Sequence, residues 1–308
     1  MLTFIEPVVI FTLLNVMQTL GLYITAMSGQ LSLATAAIAG IAGYASAVLT
    51  VKFGWPFLPT IVVGAILAAA VGVLLALLTL NMRDFILKLT TLAFGEAVVV
   101  MAFNWDYIGG ANSFTGITLH TTVYTCVLGT LIALYVAWRF DGSRLGFAAR
   151  AIRDDPVAAT AMGVPLGQLR SITFGVGSAL IGMAGAIQGH YTLVISPHEL
   201  GFFTSLNFII FLLFGGMQTM WGPVLGAVIL TAAPELLRFT NEYRLILYGL
   251  IIVLVVLLRP QGLLTRTPTG QTKRLCGLEI TRARAPQAPP GTTLPLAVGK
   301  TSSRIDSI

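Results

Sequence analysis

The strongest constraint on this chain is the recurrence of apolar runs near or above about 18 residues, the length needed to cross a bilayer core. About nine segments of spanning or near-spanning length follow one another: Val8–Met27, Leu31–Thr50, Leu58–Leu80, Phe85–Phe103, Thr121–Trp138, Ser171–Leu193, Ser205–Met217, Trp221–Leu237 and Leu245–Leu258. No water is present at that depth, so each backbone amide must find its partner inside its own segment, and helices are expected. A β-barrel would instead show alternation over short strands, and runs such as Ile61–Leu80 do not alternate. Composition agrees: 56% of the 308 residues are hydrophobic, 10% are charged, and the mean hydropathy is +0.87. A soluble domain carries about 25% charged residues. The expected fold class is all-α, a polytopic transmembrane bundle of about eight to ten spans with a short cytoplasmic helix.

The N-terminus lacks a basic region, and its first apolar run leads directly into further membrane sequence, so that run reads as a span rather than a cleaved leader. The two cysteines, Cys126 and Cys276, lie far apart and read as a buried small residue and a tail thiol. The second and sixth segments carry small residues at close spacing, Gly40 with Gly43 and Ala47, and Gly182 with Ala186. In lipid such faces let helices approach closely, although glycine is also generally common in membrane helices. The seventh segment is short and ends at Gly215-Gly216, which suggests a broken or re-entrant helix.

Positive charge sets the sides. Arg139, Arg144, Arg150, Arg153 and Arg170 fall in the stretch 139–170, and a second basic stretch runs from Arg259 to Arg304, so both are expected in the cytoplasm. An even number of runs separates them, and counting backward puts 105–120 and the N-terminus outside. Residues 1–264 are read as the permeating bundle and 265–308 as a disordered basic tail, since Pro286, Pro289, Pro290 and Pro295 exclude a continued helix. The net charge of +6 lies mostly in loops and tail and speaks of orientation, not of nucleic acid.

The cytoplasmic stretch holds a compact helix signal. Asp155 can accept from free backbone amides as N-cap, Pro156 fits the first helical position, and Gly163 with Pro165 supplies the stop. About two turns of helix are too short to persist alone in water, so the segment must dock. Val157, Ala158, Ala161 and Met162 form an apolar face suited to a partner's groove. Lying flat on the bilayer is the alternative, but the helix lacks the basic polar face that this needs.

Inside the membrane, Glu96, Gln188 and His190 are costly groups and therefore candidates for function. Glu96 can meet a substrate amino group or hydrogen-bond a neighbouring helix, and the second role is expected. Lys88 is expected to snorkel, and Trp55, Trp105 and Trp138 to anchor at interfaces. The three histidines, His120, His190 and His198, are scattered, so no metal site is expected. No G-x-x-x-x-G-K-[ST] loop is present to cradle ATP phosphates.

Residues 150–163, Arg-Ala-Ile-Arg-Asp-Asp-Pro-Val-Ala-Ala-Thr-Ala-Met-Gly, resemble the loop of LivM-type permease subunits of branched-chain amino-acid ABC importers. Ser28–Leu33 is similar to that family's GQxS element, and Thr91–Glu96 to its TLAFGE element. The likeness continues through Asn104-Trp-Asp106, Gly109-Gly110, Gly116-Ile117, His190-Tyr191, Ile195-Ser-Pro197, Gly215-Gly216, Trp221–Gly226, Pro234–Arg238 and Arg259–Leu263. Thr160 stands where the family usually has Glu, Pro156 where it has a non-proline, and Ala34-Thr35 where it has Gly and often His.

The resemblance implies a multi-pass subunit of the bacterial inner membrane. It implies a second, LivH-like permease, two cytoplasmic ATPase subunits that bind the ATP, and a periplasmic substrate-binding protein. The cargo implied is a branched-chain amino acid or a related small amino acid or amide, with no cofactor and no catalysis in this chain. ATPase coupling is then expected at Arg150, Arg153, Asp154, Asp155, Ala158, Ala159, Ala161, Met162 and Gly163. Candidates for the translocation path are Gln30, Ser32, Glu96, Gln188 and His190. A stand-alone secondary carrier or channel is the rival reading; its weakness is the scarcity of paired ionisable groups in the membrane. A membrane enzyme lacks any convergent Ser/His/Asp or metal set.

Overall fold

The computed structural model describes residues 2–80, 82, 84–236, 248–250, 252–253, 257 and 262–264. Ten α-helices are found among them: α1 (Leu2–Met27), α2 (Thr35–Phe53), α3 (Phe57–Thr79), α4 (Asp84–Asn104), α5 (Val123–Asp141), α6 (Arg144–Asp154), α7 (Pro156–Ala161), α8 (Leu166–Thr192), α9 (Phe202–Gly215) and α10 (Trp221–Leu236). Six of these, α1 to α5 and α8, are long and apolar enough to cross a membrane. The chain is an all-α, multi-pass membrane protein. Extended pairing among the described residues is limited to one isolated antiparallel bridge, Phe114 with Ile195, closed by two 3.0 Å backbone bonds.

The bundle is organised around α8, against which α1, α2 and α3 pack. Helix α1 runs antiparallel to it: Phe11 meets Tyr191 edge-on, Gln18 bonds Gln188 at 2.9 Å, and Ser28 bonds Thr173 at 2.9 Å. Helix α2 runs parallel to α8, with Gly43 over Gly185 and Thr50 bonded to His190 at 3.0 Å. Helix α3 returns antiparallel, from Gly64 beside Gly182 to the Leu80 carbonyl, which accepts from Arg170 at 3.0 Å. Close approach explains the composition of α8. A Cβ on Gly185 would enter the Ala39 carbonyl, and one on Gly177 would enter that of Gly21. Backbones this close gain dispersion contacts that larger side chains would prevent.

Three breaks interrupt the bundle. Residues 28–34 carry the chain from α1 to α2 without helix, turning at Gly29 with φ 81°. Residues 193–201 lead from the end of α8 to α9; Tyr44 donates to the Ile195 carbonyl at 3.2 Å there, and Leu200 packs on Gly40. Gly216, at φ 104°, ends α9 and begins the turn into α10. Helix α9 has 14 residues. At about 1.5 Å per residue it is roughly 21 Å long, short of a full crossing. It pairs with α10 as a hairpin, Gly226 lying under the Phe211 carbonyl. Leu263 and Leu264 donate to the Phe214 and Gly215 carbonyls at 3.0 Å, so the returning chain satisfies the C-terminal end of α9. The run expected over Leu245–Leu258 and the tail 265–308 lie largely or wholly outside the described residues.

Several details differ from the sequence reading: α8 begins at Leu166 rather than Ser171 and α9 at Phe202 rather than Ser205. The second span starts at Thr35 rather than Leu31, because the Ser28–Ala34 stretch is held by side-chain bonds, Leu33 N to Thr91 at 3.0 Å and Ala34 N to Ser32 at 3.1 Å. Stretch 139–170 contains a helix that precedes the short one. Ser143 caps α6 by accepting from Gly146 N at 3.1 Å, and Gly146, Ala149 and Ile152 form its buried stripe. Its cap and its i, i+3, i+6 apolar spacing were both present in the sequence.

Candidate functional site

On one face of the bundle, α6 and α7 form a projecting knob. The start of α7 is built as its residues dictate: Asp155 accepts from Val157 N at 2.9 Å and from Ala158 N at 3.0 Å, and Pro156 occupies the first helical position. Gly163 at φ 85° turns the chain away toward α8. The knob is anchored from behind. Arg150 forms an ion pair with Asp141 and also donates to its carbonyl at 2.8 Å, while Tyr23, buried in α1, donates to the same carboxylate at 2.8 Å. Arg153 reaches the Met217 carbonyl at 3.3 Å and lies beside Gly29, so two of the three breaks touch this corner. Asp154 extends outward, 3.5 Å from Arg153.

Val157 and Met162 are 76% and 85% exposed, whereas Ala159 is 6% exposed and packs against its own chain. Of the apolar residues on α7 and its C-cap, then, Val157, Ala158, Ala161 and Met162 are presented outward while Ala159 belongs to the internal packing.

Near the other end of α8 a cavity of about 300 Å³ opens between α1, α2, α8, the 193–201 segment and α9. Gln18, Gln188, Thr192, Ser196, Glu199 and Thr204 give it polar groups; glycines of α2 and α8, with Leu200 and Phe208, make the rest of the wall. Gln18 is buried, Gln188 half-buried and Glu199 exposed at the rim. The size is at the lower limit for small-molecule sites.

A family model described as "Branched-chain amino acid transport system / permease component" matches residues 4–256. The chain belongs to this family. The permease is 27% identical over 292 residues to the "High-affinity branched-chain amino acid transport system permease protein LivM" of Escherichia coli, covering 83% of this chain and 69% of the relative. It is also 27% identical over 201 residues to the protein named LivH of Salmonella typhimurium, covering 63% of this chain and 64% of the relative. A probable LivM of Methanocaldococcus jannaschii is 25% identical over 237 residues, covering 68% of each chain. No solved structure matches.

The residues singled out for the permease's path do not converge on one point. Gln188 lines the cavity. His190 is fully buried and turned toward α2, bonded to Thr50 at 3.0 Å and to the Ala186 carbonyl at 2.9 Å. Its ring lies 6.5 Å from that of His120, with Phe57 against both, so two histidines far apart in sequence become neighbours. Glu96 stands at the start of α9, accepting from Phe202 N at 2.9 Å. It therefore satisfies a free amide where a helix begins inside the membrane. Gln30 and Ser32 sit in the 28–34 break; Ser32 bonds Ala34 N, while both amide atoms of the buried Gln30 have no partner among the described residues. Sequence reasoning missed Gln18, Glu199, Tyr23 and Asp141. Glu199 and Asp141 carried a charge that marked them, but nothing local placed Glu199 at the cavity or Asp141 beside Tyr23.

Proposed function

We propose that this chain is a transmembrane permease subunit of a binding-protein-dependent ABC importer of the bacterial inner membrane. It moves branched-chain amino acids, or a related small amino acid or amide, using ATP hydrolysed by two cytoplasmic partner subunits. A periplasmic binding protein delivers the cargo, and a LivH-like permease completes the membrane unit; similarity to relatives named both LivM and LivH supports that pairing. The chain itself catalyses no reaction and holds no cofactor.

One observation carries the coupling role. A six-residue helix, too short to stand alone, is capped and braced from behind while Val157 and Met162 point outward. Exposed apolar groups on a rigid knob fit the groove of a partner whose closure must be transmitted to the bundle. Ala159 is unsuited to testing this, because its side chain is packed inside this chain. Met162→Asp and Val157→Asp change the outward face and leave the bracing intact. In the complete complex in lipid vesicles, both should abolish ATPase stimulation by the loaded binding protein and, with it, uptake. Normal stimulation and uptake in both variants would overturn the reading, and uptake driven by an ion gradient without ATP would establish the carrier alternative.

A further inference from the structure

The cavity beside Gln18 and Gln188 has chemistry that selects among ligands. Glu199 at its rim carries a carboxylate with no ion-pair partner among the described residues. This disfavours anions and favours a cationic group. Deeper in, Gln18 and Gln188 are bonded to each other at 2.9 Å through one donor and one acceptor. Each side-chain amide has two N–H donors and an acceptor oxygen. Whichever glutamine donates in that bond, the other keeps its NH2 free, and no further protein partner for it is found among the described residues. That free NH2 attracts a carboxylate, while the unbonded oxygen of the donating glutamine accepts from an ammonium group. The remaining wall is apolar and includes Phe11, Ala39, Ile195, Leu200 and Phe208.

From these observations we propose that the cavity is a stopping point for a zwitterionic aliphatic amino acid within this single subunit. Glu199 receives its ammonium group, the Gln18–Gln188 pair donates to its carboxylate, and the apolar wall with Leu200 and Phe208 takes its side chain. The site rests on the import function proposed above, and it adds that cargo pauses inside the permease rather than passing only between subunits. It also accounts for the presence of two amides facing each other on α1 and α8 at a depth where polar groups are costly.

Substrate protection tests this. Thr204 lines the cavity. Thr204→Cys would be introduced in a background lacking Cys126 and Cys276, and the complete complex in vesicles labelled with a small thiol reagent. L-leucine at about ten times its Kd leaves roughly a tenth of the sites free, so labelling should slow about tenfold. 3-Methylbutylamine, which lacks the carboxylate, and 4-methylpentanoic acid, which lacks the ammonium group, should not protect at the same concentration. Glu199→Gln added to Thr204→Cys should remove the protection by leucine. Equal protection by the amine and by leucine would overturn the zwitterion assignment, and labelling indifferent to leucine up to tens of its transport half-saturation concentrations would overturn the site. Uptake of leucine by the same vesicles is the control: if uptake proceeds while protection is absent, the cavity inference fails alone. If no uptake of any small amino acid occurs, it is the importer reading that fails.

Discussion

Helices α3 and α8 both cross the membrane and pack on each other, yet they solve opposite problems. Helix α8 carries glycine, serine, threonine and glutamine, and 67% of its most apolar window is buried inside the protein. Helix α3 is a nearly unbroken apolar run, and only 33% of its window is buried. In a soluble protein the more apolar helix would be the inner one. Here the surroundings are as apolar as leucine, so apolarity no longer drives burial; what earns the centre is small size, which permits close packing. Between these two helices, the more apolar one is the more exposed and the glycine-rich one the more buried. Helix α4 is more exposed still, with 22% of its window buried, and its polar contacts include Thr91 on Leu33 N and Glu96 at the start of α9.

The largest test of this contrast is at the centre. Gly185→Leu places side-chain atoms where the Ala39 carbonyl already is, and backbone cannot give way as a side-chain tip can. A cost of about 3 kcal/mol is expected, seen as a fall in the thermal midpoint of the detergent-extracted protein and loss of its monodisperse chromatographic peak. An unchanged midpoint would mean that α2 and α8 are not held together by backbone proximity. An intermediate effect is expected at the periphery's polar contact. Glu96→Ala orphans the Phe202 amide and should cost about 1–3 kcal/mol, whereas Glu96→Gln keeps an acceptor and should cost less than about 1 kcal/mol with transport near normal. If Glu96→Gln eliminates transport while assembly is intact, the carboxylate charge itself has a role in the path. The smallest effect is reserved for α3. Ile66 is 63% exposed, and Ile66→Ala should shift stability by no more than about 0.5 kcal/mol, measured by the same thermal midpoint. A large loss there would reveal a protein partner, not lipid, against that face.

The sequence was read well wherever the cause is local. Apolar run length announced the spans, and the Asp155–Pro156 start with the Gly163 stop announced α7 almost to the residue, because a cap and a left-handed turn involve only near neighbours. The family could be read from ordered short elements, and the matched model, over residues 4–256, extends across all of them but Arg259–Leu263. Helix α6 could have been read in the same way, since Ser143 and the Gly146–Ala149–Ile152 stripe are neighbours in sequence.

Other features depend on residues that meet only after the bundle closes. Gln18 and Gln188 are 170 positions apart, Glu96 and Phe202 are 106 apart, and Tyr23 and Asp141 are 118 apart. Each polar group in the membrane must find a partner, but composition cannot say which, because many pairings satisfy the same hydrogen-bond count. The glycines of α2 and α8 fixed how closely those helices approach, and the 193–201 segment closed the remaining side; only then did a cavity with one carboxylate and one free amide exist. Sequence alone thus determined that this chain lives in a membrane and where the capped helix α7 begins and ends. Tertiary packing decided which of its polar residues face one another, for the physical reason that partnership in an apolar medium is set by proximity in space and not by distance along the chain.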